Sequence, residues 1–423
     1  MRDDDFEIFD INEQKSISDK RTDTVRRDAP NNVKEIAYDD ISDIRKERIR
    51  QMKIEKEKQL RRRALIKKYW KFAAAGLGIL AFAITAGVVV NTIKKNMPES
   101  SDKENTVIIV EAESETAASD TEDETENNII PEMTEVISQS TDVVKENKIY
   151  SAQITDNTDG ISDEIISERV VFIDKATGNI LAQKGYKDVI SPASMTKVLS
   201  VLVAAEQLGI NSNEDKKLDD KFEITIDITD YSYVNDCSNV GFDVGEKVTV
   251  RDLFYGTILP SGADAAMGLA IYTAGSHEAF VELMNKKVEE LGLSQTAHFT
   301  NCVGLYDEQH HCTVYDMAMI MEAALDNPFC REVLAAHVYT TAITQQHPEG
   351  LVLSNWFLRR IEDKDTGGEV LCAKTGFVVQ SKNCAVSFGK DNSGNEYVCC
   401  TAGSSSSWRC IYDHVELYKK YAK

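Results

Sequence analysis

The chain has 423 residues and a formal net charge of −22. The stretch from Met97 to Glu168 holds 20 acids and 3 bases, so most of the excess belongs to one segment and says little about substrate. Phosphate backbones are gripped by clustered basic faces, and the one basic cluster here sits beside an apolar run, which argues against nucleic acid as a partner.

In chain order, residues 1–71 read as a cytoplasmic tail, polar at first and crowded with bases from Arg45 to Lys71. The run from Phe72 to Val90 carries no charge, and at 1.5 Å per residue about 19 residues cover roughly 28 Å, close to the hydrocarbon thickness of a bilayer. Residues 72–93 are therefore expected to form one transmembrane signal anchor. Bases before the run and acids after it put the N-terminus in the cytoplasm and the rest outside, by the positive-inside bias. Residues 94–165 are rich in Glu, Asp, Ser, Thr and Asn, with apolar islands too small for a core, which predicts a disordered, charge-extended extracytoplasmic stalk.

Residues 166–423 have a globular composition and enough length for one core. All nine cysteines lie here, an odd number that leaves at least one unpaired; disulfides and buried thiols are both compatible with their spacing. Apolar patterning predicts strands at 169–173 and 180–184 around a turn at 175–178. Helical spacing follows at 194–208, then at 250–255, 265–273, 277–291 and 314–325. Strands return at 370–374, 384–388 and 397–401, and a helix over 408–421 closes the chain. Strands at both ends with helices between them predict an α/β (α+β) fold, an antiparallel sheet covered by helices with an inserted helical subdomain.

Three short segments carry chemistry. Ser194-Met195-Thr196-Lys197 opens the first long helix, and positions i and i+3 share a helix face, so the Lys197 amine can approach the Ser194 hydroxyl. A serine is a poor nucleophile until an adjacent base takes its proton, and a desolvated lysine can be that base. Alone the motif is weak, because a capping serine followed by a solvated lysine is common. Leu259-Pro260-Ser261-Gly262-Ala263 puts a second serine at a loop-to-helix junction, where an N-cap is an equally good role. Lys374-Thr375-Gly376-Phe377 lies on a predicted strand, where a lysine suits a buried sheet only if its charge faces a site, and Gly376 lets a ligand lie close.

In this order the three segments resemble those of the penicillin-binding proteins and serine β-lactamases. Within that group the chain is similar to the low-molecular-weight serine D-alanyl-D-alanine carboxypeptidases. The likeness extends through Val171-Phe172-Ile173-Asp174, Val250-Arg251-Asp252-Leu253, Phe299-Thr300-Asn301 with Gly304-Leu305, and His347-Pro348-Glu349-Gly350. It implies a β-lactamase/transpeptidase-like fold and hydrolysis of the terminal D-Ala-D-Ala bond of the peptidoglycan stem pentapeptide, with β-lactams as inhibitors and no metal or cofactor. By the same resemblance, Ser194 forms the acyl-enzyme, Lys197 is its general base and Ser261 relays a proton to the leaving D-alanine. Lys374 and Thr375 hold the substrate carboxylate, and the backbone N–H groups of Ser194 and Phe377 form the oxyanion hole. The implied location is the bacterial cell membrane, single-pass, with the enzyme domain outside.

One departure stands out. Relatives carry Asn as third residue of the central motif, and this chain has Ala263. That residue motivates a rival reading as a non-catalytic peptidoglycan-binding protein. A β-lactamase is a second rival, lacking a counterpart of the deacylating Glu. A zinc peptidase built on His310 and His311 is a third, disfavoured because adjacent histidines do not readily share one metal.

Overall fold

The computed structural model describes residues 46–58, 61–62, 65, 150–161 and 164–423. The expected anchor at 72–93 and most of the expected stalk lie outside the described residues. Among the described residues, no helix is long and apolar enough to cross a membrane.

The fold is a mixed α/β arrangement around one six-stranded sheet, ordered β1-β3-β2-β10-β9-β8. Strand β2 (Arg169–Asp174) buries its four central residues and turns back into β3 (Asn179–Lys184) through Gly178 at φ 68°. The last strands, β8 (Gly368–Val378), β9 (Lys382–Asp391) and β10 (Glu396–Ser404), form an antiparallel meander. The two ends of the domain meet where β10 pairs β2, with Cys400 opposite Val171.

Strand β1 (Gln153–Gly160) departs from the expected arrangement in two ways. It lies inside the interval read as stalk, and it joins β3 in parallel, so the sheet is not wholly antiparallel. Its sequence QITDNTDG lacks apolar alternation and its side chains are mostly exposed, so the open edge of β3, rather than burial, recruits it.

Between β3 and β8 the chain builds its helical part. Helix α1 (Thr196–Leu208) is followed by α2 (Ile226–Val234), α3 (Val250–Ile258), α4 (Ala263–Ala274), α5 (His277–Glu290), α6 (Val314–Leu325) and α7 (Pro328–Ala335). Two small hairpins accompany them, β4 (Lys221–Glu223) with β5 (Lys247–Thr249), and β6 (Val338–Thr340) with β7 (Val352–Ser354). Capping boxes at Thr249/Asp252 and Thr313/Asp316 set the starts of α3 and α6. A short α8 (Leu358–Ile361) and the terminal α9 (Ser407–Tyr421) complete the order.

Alternate residues of the strands feed two cores, as the period-2 pleat requires. Val171, Ile173, Val386, Phe388 and Cys400 face the α1 side, while Val170, Phe172, Ala385, Tyr397 and Cys399 face α8 and α9. Helix α1 buries ten consecutive residues from Thr196, so it is a central helix, wrapped on all sides. All nine cysteines are free thiols, eight of them buried.

The start of β2 is fastened to α9 by the fully buried Asp413. Its carboxylate accepts from Ser167 N (2.8 Å), Ser167 Oγ (2.6 Å), Ile166 N (3.2 Å) and Arg409 Nε (3.0 Å). Asp413→Asn puts an amide donor among donors. Because hydrogen bonds to charged groups contribute roughly 1.5–3 kcal/mol, the variant is expected to lose about 2 kcal/mol in urea unfolding while retaining its far-ultraviolet spectrum. An unchanged midpoint would show that this fastening contributes nothing.

Candidate active site

Past Pro192 the chain tightens into a single 3-10 turn, Ala193–Met195, before α1 begins, so Ser194 sits on the turn and not within the regular helix. Ala193 holds φ 48°, a left-handed conformation costly for a residue with a Cβ. Packing fixes it there. A Cβ added at Gly304 would fall 1.9 Å from Ala193 O, and one added at Gly376 would fall 2.9 Å from Ser194 N and 3.0 Å from Ala193 Cβ. Two glycines therefore let backbone close on the serine turn from either side.

Lys197 lies one turn along, 2% exposed. Its Nζ is 3.1 Å from Ser194 Oγ and donates to Val303 O at 2.7 Å. Burial disfavours the ammonium and brings its pKa down to about 8. With an N–H on the carbonyl, the amine's lone pair can face the serine hydroxyl, the arrangement a general base needs.

That carbonyl is itself held in place. Asn301 Oδ1 accepts from Val303 N (3.2 Å), Gly304 N (2.7 Å) and Leu305 N (2.9 Å), while its Nδ2 donates to Leu305 O (3.0 Å). Beneath the loop, His310 Nδ1 accepts from Thr300 N (3.0 Å), which fixes the proton on Nε2, 2.9 Å from Thr196 Oγ1. Burial holds this ring neutral, with a pKa down to about 3. Both of its nitrogens are engaged within the protein, in the geometry of a brace for the turn after Ser194.

The central segment approaches from the opposite side. Gly262, not Ser261, is the N-cap of α4. Ser261 stands at φ 62° and its Oγ accepts from Lys374 Nζ at 2.9 Å. Ala263, wholly buried, is the first residue of α4 and donates its N–H to Ser238 O at 2.8 Å. Lys374 is 2% exposed and also donates to Thr375 O at 2.8 Å. Burial first, and then the charge of Lys197, push its pKa well below the ordinary lysine value. The next residues run along the sheet edge: Thr375 half-buried, Gly376 buried, Phe377 62% exposed.

The structure thus gathers Ser194, Lys197, Ser261 and the Lys374–Phe377 run at one junction of α1, the loop before α4 and the free edge of β8. Asn301, Val303 and Gly304 carry no motif that assigns them a task from sequence, and His310, weighed there only as a disfavoured zinc ligand, is instead a structural brace. An Asn followed three residues later by Gly in a loop is the signal of a tight side-chain-to-backbone turn, and it was available.

A serine hydroxyl beside a buried lysine amine, facing a second lysine on an edge strand, is the geometry of a serine acyl-transfer site. The chain belongs to the D-alanyl-D-alanine carboxypeptidase family, whose model matches residues 154–399. It is 30% identical over 246 residues to a D-alanyl-D-alanine carboxypeptidase of Streptomyces, covering 55% of this chain and 79% of that protein. With D-alanyl-D-alanine carboxypeptidase DacF of Bacillus subtilis it shares 35% identity over 159 residues, 38% of this chain but only 39% of the other's length. Among solved structures it is similar to the Streptomyces K15 DD-transpeptidase, with TM-score 0.52 and 26% identity over 61% of this chain and 98% of that one.

Gly376→Ala tests the close approach of β8 to the serine turn. The added Cβ also meets Cys384 Sγ at 2.9 Å. Acylation by penicillin is expected to slow at least about tenfold, the order of one misplaced electrostatic contact. Unchanged acylation would mean that the strand and turn can separate without cost.

Proposed function

We propose that the chain is a serine-type D-Ala-D-Ala carboxypeptidase acting on peptidoglycan stem peptides, with β-lactams as acylating inhibitors. The observation that carries this reading is the 3.1 Å contact between Ser194 Oγ and a buried Lys197 amine whose pKa lies near 8.

In the proposed sequence, the substrate's terminal carboxylate pairs with the Lys374 ammonium and the Thr375 hydroxyl. Neutral Lys197 takes the Ser194 proton as Oγ attacks the penultimate D-alanine carbonyl. The backbone N–H groups of Ser194 and Phe377 stabilise the oxyanion, each such donor contributing roughly 3 kcal/mol. Collapse expels D-alanine, its amine receiving a proton through Ser261, and water then hydrolyses the ester with Lys197 again as base. The Val303 carbonyl supplies Lys197 with an acceptor where Ala263 offers no amide, which favours a working enzyme over a non-catalytic binding protein. An amine in place of water would make the same ester a transpeptidation intermediate, a second reading favoured by the likeness to a DD-transpeptidase.

The same proposal includes residues 72–93 as a membrane anchor, the segment from 94 to about 149 as a tether reaching toward the wall, and an extracytoplasmic domain in a bacterial cell membrane, with β1 (Gln153–Gly160) counted to the domain.

Fluorescent penicillin is expected to label the wild type and to leave Ser194→Ala unlabelled, while D-alanine release from a pentapeptide, with and without an added amine, separates hydrolysis from transfer. Labelling of Ser194→Ala at the wild-type rate would overturn the assignment. The pH dependence follows from the two lysines. Lys197 must be neutral, so kcat/KM is expected to rise roughly tenfold per pH unit below about 8. Lys374 must be protonated, and because its pKa is depressed the falling limb appears well below pH 10.5. A profile flat from pH 6 to 9 would remove Lys197 from the role of base.

A further inference from the structure

On the face of the sheet turned away from Ser194, where α8 and α9 pack, four side chains stand in a row: Trp356, just before α8, Arg360 within it, and Trp408 and Tyr412 on α9. The Arg360 guanidinium carbon lies 3.6 Å from the centre of the Trp356 ring and 4.5 Å from that of Trp408. Four residues apart on one helix face, the Trp408 and Tyr412 rings stack at 6.2 Å and 29°, an offset arrangement. A row that only braced α8 against α9 would bury its rings. These stay open to solvent, with Trp356 55%, Trp408 46% and Tyr412 43% exposed. Three adjoining exposed aromatic rings form a patch, unlike single apolar residues scattered on a surface, and such patches mark contact with a partner. No step of the acyl transfer uses them.

Position and charge say what kind of partner fits. Asn355, the neighbour of Trp356, donates from Nδ2 to Ala373 O at 3.1 Å, so the row begins beside the residue that precedes Lys374. On the reading given under Proposed function, β8 takes a stem peptide, and in the wall that peptide hangs from a polymer of N-acetylated sugars. A polymer joined to the occupant of the groove passes close to this strand. The cations along the row are mostly engaged: Arg360 with two indole faces, Arg409 with Asp413 at 3.0 Å, Lys419 with Asp365 at 2.9 Å and Lys420 with Asp159 at 3.5 Å. Of the other exposed charges, Arg359 stands at the Trp356 end and Glu416 one turn beyond Tyr412, one of each sign. Anionic lipid surfaces are met by clusters of unmatched bases, which this face lacks.

We propose that the row from Trp356 to Tyr412 is a docking platform for the uncharged glycan strand that carries the stem peptide. The C–H faces of pyranose rings lie flat on open aromatic rings, and the edge N–H groups of Arg360, whose two faces are covered by indoles, can donate to an N-acetyl carbonyl. The platform and the groove then hold two parts of one molecule. Docking of the glycan raises the local concentration of its stems at Ser194, so it favours glycan-attached substrate and does nothing for a free peptide.

Two of the chain's three tryptophans lie in the row, so intrinsic fluorescence reads it directly. The full chain in detergent is titrated with an N-acetylglucosamine hexamer and sedimented with peptide-stripped wall glycan, and the wild type is expected to bind both. Trp408→Ala combined with Tyr412→Ala is expected to weaken binding at least about tenfold, and to raise KM for D-alanine release from glycan-attached stems by a similar factor. Release from free pentapeptide and penicillin acylation stay unchanged, which also shows that the variant is folded. Trp356→Ala, on the other element, is expected to act in the same direction. Absence of glycan binding by the wild type, or binding that survives in both variants, would overturn the platform. So would binding to phosphatidylglycerol vesicles, or self-association, that the variants abolish while glycan binding persists. Glycan binding without D-alanine release from either substrate would leave the platform standing and overturn the carboxypeptidase reading.

Discussion

Burying two amines side by side is the constraint on which the site depends. Lys197 and Lys374 are each 2% exposed, burial lowers the tendency of both to hold a proton, and the charge of Lys197 lowers that of Lys374 further. Such a pair is expensive in any fold, since a desolvated ammonium must be neutralised, paired or hydrogen-bonded. Here the hydrogen bonds come from Ser194, Val303, Ser261 and the backbone of Thr375. The same desolvation brings Lys197 down to about 8 and Lys374 well below the ordinary lysine value, which in the proposed mechanism makes one amine the base and the other the partner of a carboxylate. In the proposed mechanism a substrate carboxylate relieves Lys374 as it binds.

The fold can bear this cost because the site's three segments are fastened to a large shared core. Residues 194–197, 259–262 and 374–377 are far apart in sequence, yet each adjoins a buried element: α1, α4 and β8. Gly304 and Gly376 bring backbone to within contact of the serine turn, and a side chain at either place would force the segments apart. Rigidity at the nucleophile is thus obtained from backbone packing, and Asn301 and His310 extend it outward by satisfying backbone groups.

Much of this was legible in the sequence where side chains carry the signal. The helix over 314–325 is legible from its apolar spacing, and the structure adds the Thr313/Asp316 capping box at its start; β2 and β3 follow from apolar patterning and a turn. Elements without such marks escaped. β1 has the composition of the spacer before it, and α2, with the sequence IDITDYSYV, is rich in residues that favour caps and turns. The spacing puts the start of helix α1 at Ser194, whereas Ala193–Met195 form a 3-10 turn against which Gly304 and Gly376 pack closely. Within the site the lysines and serines were visible as motifs, but the Val303 carbonyl was not. Every residue has a carbonyl, and only the loop's path makes this one matter.

The open edge of β8 has a consequence for the protein's behaviour in solution. A strand edge left unpaired for a peptide is open to any other strand, including one from a neighbouring copy, and Phe377 and Val379 add exposed apolar surface to it. Lys374, 2% exposed, is already out of solvent and adds no charge to that surface, so the edge presents Phe377 and Val379 without a charged residue between them.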